Sequence, residues 1–395
     1  MRTNESMPKF NNCLLGACIE IKNNNYGSML QSYATQVMLK QYGFNFELIK
    51  YKKKYTPELI IKSIPRLLNR VVWQDKLNEH TKKVFLKKHP ELMDAVRKRE
   101  KAFQTFRKDF FLAPIVEYYG YNTLQKQCKK YSAFLTGSDQ LWSPSGLPTN
   151  FYNLMFTPDE AVRISFASSF GVKKIPWYQK NRTKHYLERI PFISCREESG
   201  KEIVKTLTGR EVPVVADPTM MFDAEEWKSF LPCERKTEGK YIFSYMLGEN
   251  PESRKHVLSL KEKTGLPIVS IHQYVDADLN FGDVSIDDAG PVEFVDLIRN
   301  AEYICTDSFH GTVFSIINHK KFVVFDRYSN TDSASKNTRI DSLCMRLNVA
   351  DRRFNGDILS NMFNDINYES VDNILENIRV DSRSYLENAF SSINF

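Results

Sequence analysis

Short apolar runs alternate with longer stretches of helical length along almost the whole chain of 395 residues. The runs are Leu14 to Ile21, Phe46 to Tyr51, Ala133 to Thr136, Arg163 to Ala167, Phe192 to Cys195, Val212 to Ala216, Tyr241 to Tyr245, Ile268 to Ile271, Tyr303 to Cys305 and Phe322 to Phe325. Each has the length of a buried strand. Between them lie Ser28 to Tyr42, Pro176 to Arg189, Ser199 to Leu207, Glu252 to Lys263 and Pro291 to Asn300, the last opening on a proline suited to a first helical turn. Strands that alternate with helices build parallel sheets covered on both faces. The predicted fold is therefore α/β, doubly wound and Rossmann-like. The charged stretch 230–240 interrupts the alternation, with six predicted strands before it and four after it. Two such domains are expected, over 1–229 and 240–365, facing each other across a cleft, with a helical tail over 366–395.

Composition excludes several classes. With 42% hydrophobic and 26% charged residues the chain has the balance of a globular protein. No apolar run approaches the length of a membrane span and the first residues carry no hydrophobic segment, so neither a transmembrane helix nor a signal peptide is expected. The cytoplasm is the default compartment. Seven cysteines are scattered without a CxxC pair, which reads as reduced core residues. Asp276 and Asp278 form a DxD, a tripeptide that arises often by chance, and no metal site is predicted. The net charge of +7 is unevenly placed: residues 50–108 hold 18 Lys and Arg against 6 Asp and Glu. This basic, helical insertion, predicted over 50–112, carries Phe103, Phe106 and Phe110 at helical spacing. It reads as a contact with an anionic membrane face or with an acidic partner, or as a solvated face over a packed helix. No aromatic and glycine motif for nucleic acid accompanies the charge.

The polar residues cluster at the carboxyl ends of the predicted strands, the edge where open parallel sheets bind ligands. Asn24, Asn25, Tyr26 and Gly27 follow the first; Ser138, Asp139 and Gln140 follow the third; Ser168, Arg196 and Asp217 follow later ones. The stretch AEYICTDSFHGTVFSIINHKKFVVFD, residues 301–326, places Asp307, Ser308, His310, Gly311 and Thr312 between a strand and a helix start, where free amides and the helix dipole favour an anion. Several of these residues have a structural reading as well. Asn25 and Gly27 suit a turn and a helix cap, and the Asp217-Pro218 pair suits a turn whose carboxylate caps nearby amides. Arg196 and His310 are harder to assign to the core. Standard signatures such as GxGxxG after the first strand, GxxxxGK[ST], HExxH and GxSxG are missing.

In series, the segments NNNYGSMLQSYATQVMLKQYG, FLTGSDQLWSPS, RISFASSFG, ISCREESGKEIV, VVADPTMMF and TDSFHGTVFSIINHKKFVVF resemble the polysaccharide pyruvyl transferase family, over roughly residues 13–350. The resemblance implies a GT-B-like fold, with an acceptor side on the first domain and a donor side on the second. It also implies transfer of the enolpyruvyl carbons of phosphoenolpyruvate onto two hydroxyls of a sugar, giving a cyclic pyruvate ketal in a cell-surface polysaccharide or its precursor. Phosphoenolpyruvate is then a co-substrate and no cofactor is called for. The residue chemistry suits this. Arg196 and the helix start at Ser308, Gly311 and Thr312 would hold the anionic donor, His310 would move protons near neutral pH, and Asp307 would stabilise an oxocarbenium-like centre. Asn24, Asn25, Tyr26, Gly27, Ser138, Asp139, Gln140 and Trp142 would meet the sugar, free or lipid-linked. One departure stands out: the family pattern has an arginine two residues before the histidine, where this chain has Ser308. Lys336 and Arg339 are the candidates to replace that cation. A glycosyltransferase using a nucleotide sugar, and a non-catalytic glycan-binding protein using Asn24, Asn25, Tyr26 and Trp142, are the alternatives.

Overall fold

The computed structural model describes residues 13–234, 237–327 and 337–393. The strands are β1 (Leu14–Cys18), β2 (Asn45–Lys52), β3 (Ile115–Tyr119), β4 (Ala133–Thr136), β5 (Val162–Ser168), β6 (Phe192–Cys195), β7 (Ile242–Tyr245), β8 (Ile268–Ser270), β9 (Val284–Ser285), β10 (Tyr303–Thr306) and β11 (Lys321–Val324). They form two sheets, ordered β3-β2-β1-β4-β5-β6 and β11-β10-β7-β8-β9. Every pairing is parallel. The architecture is thus α/β with two Rossmann-like domains. Central strands such as β4 and β7 are buried at every position, which is why they read as continuous apolar runs.

Three elements depart from the sequence reading. β3 was not predicted; it is an edge strand whose IVEYY sequence is largely solvent-facing, with Glu117 paired to Lys50 at 2.7 Å. β9 is only two exposed residues long. The predicted strand Val212 to Ala216 contributes a single bridge, between Val214 and Cys195. Pro213 offers a carbonyl but no N–H, and the chain then turns sharply at Asp217 into the short helical turn Pro218–Met221. The predicted helices all form, and Pro291–Asn300 matches residue for residue.

The helix Tyr26–Gln41 is wedged between the domains, buried continuously from Tyr26 to Leu39. Tyr26 stacks on Phe294 of the second domain at 4.7 Å and donates its hydroxyl proton to the carbonyl of Ala289 at 2.8 Å. The last helix, Tyr368–Ser391, returns from the second domain to the first. Arg379 donates to the carbonyls of Met220 and Phe222, Tyr385 donates to the carbonyl of Ser165, and the ring of Phe390 packs on Phe44 at 4.6 Å. Burying such an aromatic side chain is worth about 1.5–3 kcal/mol, so this helix is part of the first domain's packing as well as a tail.

The basic insertion is helical, over Pro57–Ser63, Ile64–Leu68, Arg70–Lys88 and Met93–Phe110. In its last helix the phenylalanine stripe packs inward: Phe103 and Phe106 are buried, at 5.0 Å from Tyr26 and 6.0 Å from Tyr33. Arg99 crosses to the second domain, where it donates to the carbonyls of Asp287 at 2.6 Å and His272 at 2.8 Å. The packed reading is therefore correct for this helix. Among the described residues no helix is long and apolar enough to cross a membrane.

Candidate active site between the two sheets

The sheet orders place their reversal points between β1 and β4 in the first domain and between β7 and β10 in the second. Loops leaving these strands at their carboxyl ends meet in the cleft, the position such folds use for ligands. The loop after β4 is held by Gly137, whose φ of 122° admits no side chain without strain and where a Cβ would stand 1.9 Å from the carbonyl oxygen of Phe166. It delivers Ser138 and Asp139. The loop after β10 delivers the helix Phe309–Ile317, with Ser308 as its cap.

His310 is the centre of the cluster. Its imidazole is buried, with Nε2 3.8 Å from Oδ1 of Asp217 and without a hydrogen-bond partner. At that distance the contact is electrostatic and not a hydrogen bond. Asp217 is fully buried and heavily bonded. Its Oδ2 accepts from Arg196 Nη1 at 2.8 Å and from the Ser138 hydroxyl at 2.7 Å, while Oδ1 accepts from the amide and hydroxyl of Thr219. Burial alone would raise its pKa, but His310 and Arg196 outweigh burial and hold it far below the usual carboxylate range. The turn reading of Asp217 is correct in part: the carboxylate caps Thr219 and also joins the site.

Arg196 lies with its guanidinium 4.4 Å from the centroid of Phe309, and its Nε and Nη2 make no hydrogen bond. Glu197 and Asp139 stand near those nitrogens at 3.7 and 3.9 Å. Arg339 approaches the same ring at 5.8 Å. Its pKa is pushed down to about 10, by burial first and then by repulsion from Arg196. With its amide oxygen turned toward the guanidinium, Gln140 accepts from Nε and Nη2 of Arg339, both at 3.1 Å. Asp139 accepts from the Ser28 hydroxyl at 2.6 Å; burial opposes its ionisation, yet Arg196 and His310 keep its pKa below the ordinary value. Gly27 belongs here through its bare Cα, against which the imidazole of His310 rests.

Other expected residues have different duties. Asp307 faces away from His310: its two oxygens accept from the amides of Leu247 and Gly248, both at 2.7 Å, tying β10 to the loop after β7. Burial raises its pKa, with Arg327 acting against it. The Ser308 hydroxyl already takes the Gly311 amide at 3.3 Å, and the amide and hydroxyl of Thr312 both turn to the Ser308 carbonyl. Those groups are spent within the helix start. Asn25 caps the helix Tyr26–Gln41 through Ser28 N, and Asn24 is held by Arg107. Tyr26 packs between the domains, as described above. Trp142 is buried against Phe170 and Tyr186, with its indole N–H on the carbonyl of Tyr152. Lys336 lies outside the described residues. Among the described residues no group of His, Cys, Asp and Glu is arranged to hold a metal ion, and Asp278 of the DxD pairs instead with Arg254 at 2.7 Å.

A histidine, two arginines and three carboxylates, His310, Arg196, Asp217 and Glu197 buried and Asp139 and Arg339 half-buried, gather where two Rossmann-like domains face each other. The family model for polysaccharide pyruvyl transferase matches residues 25–330, most of the chain, and the protein belongs to this family. No curated protein sequence matches it significantly. Among solved structures it is similar to a UDP-GlcNAc 2-epimerase from Neisseria meningitidis, at 11% identity over 94% of this chain and 98% of that one, with a TM-score of 0.43. It is also similar to a putative UDP-N-acetylglucosamine 2-epimerase from Listeria monocytogenes, at 9% identity over 95% and 90% of the two chains, with a TM-score of 0.47. A third is a heptosyltransferase from E. coli, at 12% identity over 92% and 99%, with a TM-score of 0.37. These are similarities in the course of the chain.

Proposed function

We propose that the protein transfers the pyruvyl group of phosphoenolpyruvate to two hydroxyls of a sugar in a cell-surface polysaccharide or its precursor, forming a cyclic ketal and releasing phosphate. Family membership supports the reaction class, and one observation carries the assignment of the anionic donor. Arg196, buried, and Arg339, half-buried, lie beside the same phenylalanine ring, the first with Nε and Nη2 making no hydrogen bond and the second with its charged form disfavoured by desolvation and by its neighbour. An anion carrying a carboxylate and a phosphate supplies what both lack.

The chemistry then falls to His310. As the imidazolium it gives its proton to the methylene carbon, whose double-bond electrons form the new C–H bond and leave positive charge on the central carbon. The first sugar hydroxyl adds there and returns its proton to the imidazole. The C–O bond to phosphate breaks, the electrons leave with the phosphate, and the second hydroxyl adds to close the ring, its proton passing to the departing phosphate, which is released as hydrogen phosphate. Asp217 is a positioning residue: its carboxylate, which accepts from Arg196 and Ser138, lies 3.8 Å from Nε2 of His310.

A melting-temperature screen tests the donor. Phosphoenolpyruvate at a hundred times its dissociation constant stabilises the folded state by about 2.7 kcal/mol, a visible shift. Stabilisation by nucleotide diphosphates and none by phosphoenolpyruvate would contradict the proposal and favour transfer from a nucleotide sugar.

A further inference from the structure

Five large apolar side chains in the first two helical segments of the basic insertion, Ile60, Ile61, Ile64, Leu67 and Leu68, recur at the spacing of a core-facing helical stripe. The structure leaves them in solvent: Ile61 is 65% exposed and Leu68 70%. The next helix continues the apolar surface. Trp73, 54% exposed, donates its indole N–H to the Leu67 carbonyl at 2.7 Å, which locks the corner between the two helices. A contiguous exposed apolar surface of this kind marks an interaction face.

Its charge identifies the partner. Residues 50–88 carry 12 Lys and Arg against 3 Asp and Glu, and two of those acids, Glu58 and Glu79, are already paired with Lys62 and Lys83. A second copy of this chain would bring the same positive surplus against it. An anionic bilayer instead offers negative headgroups to the lysines and acyl chains to the isoleucines and leucines, with Trp73 at the depth aromatic residues prefer. We propose that this face docks the protein peripherally on an anionic membrane.

The geometry beside the stripe extends the idea to the acceptor. Thr56, Leu59 and Lys62 on the same first helix, together with Tyr51, Tyr119 and Asn122 at the carboxyl ends of β2 and β3, line a cavity of about 490 Å³. A glycan carried on a lipid would have its lipid in the bilayer under the stripe and its sugars in this cavity of the first domain. Carriage of the acceptor on a lipid rests on the pyruvyl-transfer reading; docking itself does not.

Co-sedimentation of the full chain with vesicles tests the docking. The protein is expected to bind vesicles of phosphatidylglycerol and phosphatidylcholine in equal parts at low salt at least about tenfold more tightly than vesicles of phosphatidylcholine alone, and to weaken as salt rises. The variant Ile60→Ser/Ile61→Ser/Leu68→Ser should lose at least about tenfold in vesicle binding while keeping its melting temperature, because these side chains are mostly exposed. Its melting response to phosphoenolpyruvate should also be unchanged, so that failure of docking and failure of the donor assignment are read separately. Absence of binding to the anionic vesicles, equal binding to neutral ones, or undiminished binding by the triple variant would overturn the proposal. So would a wild-type dimer that the triple variant turns into a monomer, which would assign the face to a second copy.

Discussion

The imidazole of His310 rests on the bare Cα of Gly27, so close that a Cβ at Gly27 would stand 1.9 Å from Nδ1. The first domain thereby sets the position of the second domain's central titratable group. Gly27 lies inside a helix with ordinary helical geometry, so alanine there brings no backbone strain. Gly27→Ala should displace the imidazole, and turnover should fall by about 10²-fold or more, since misplacement of an acid by an ångström is costly. Stability should fall by about 1–3 kcal/mol, the usual cost of overpacking, so turnover is read below the melting transition on folded enzyme. Steady-state kinetics with a parallel melting curve checks it; a Gly27→Ala enzyme with full turnover would separate His310 from the chemistry.

Asp217 links pH to stability. Its pKa in the folded protein lies below the unfolded value of about 3.9. The folded state therefore binds fewer protons, and the stabilisation is complete above about pH 5 and lost as pH falls below it. Asp217→Asn leaves Arg196 buried without its closest partner and should cost about 3 kcal/mol at neutral pH. Melting temperatures from pH 7 to 3 should fall more steeply for the parent than for the variant.

If Arg339 holds the proposed donor, it trades stability for binding. Its depressed pKa, about 10, marks a charge held at a cost by desolvation and by the nearby Arg196. Arg339→Met should leave the unliganded melting temperature unchanged or higher. Affinity for phosphoenolpyruvate should fall by roughly 10- to 150-fold, the equivalent of a lost charge-assisted hydrogen bond of about 1.5–3 kcal/mol. Calorimetric titration reads this, and undiminished affinity would remove Arg339 from the donor site.

His272, whose carbonyl accepts from Arg99 of the basic insertion, shifts stability with pH in the sense opposite to Asp217. Burial lowers its pKa, but Asp287 at 3.2 Å more than offsets burial and holds it above the usual value, while Asp287 itself is held down to about 2. A group with a raised folded pKa stabilises below the unfolded value of about 6.5 and loses that contribution as pH rises through the folded value. Unfolding by denaturant should show the parent losing stability from about pH 6.5 upward, with the decline reduced in His272→Asn.

The legible parts of this molecule are those in which local sequence and tertiary environment agree. The unit β10, helix Phe309–Ile317, β11 could be placed because two buried strands read as continuous apolar runs and a capping serine opens the helix between them. β3 could not, because an edge strand with one wet face carries charged and aromatic residues in an order that no core demands. Asp217 read chiefly as a turn, since Asp-Pro is a capping signature; its pairing with Arg196 and His310 depends on loops brought together only by the sheet order. The same blindness to tertiary contacts runs the other way for Asp307 and Trp142. Both sit in loops at the right edge, yet one is committed to backbone amides and the other to an aromatic cluster.

The role of His310 is tested most directly by running the reaction with phosphoenolpyruvate and a saccharide acceptor in heavy water and weighing the product's methyl group. Protonation at carbon predicts one solvent deuterium in that methyl group for the parent enzyme. His310→Gln should remain folded, keep its phosphoenolpyruvate affinity within a few-fold, and form product about 10²- to 10⁴-fold more slowly, the usual contribution of a positioned acid or base. A folded His310→Gln enzyme that binds phosphoenolpyruvate and forms the deuterated ketal at the parent rate would contradict the account.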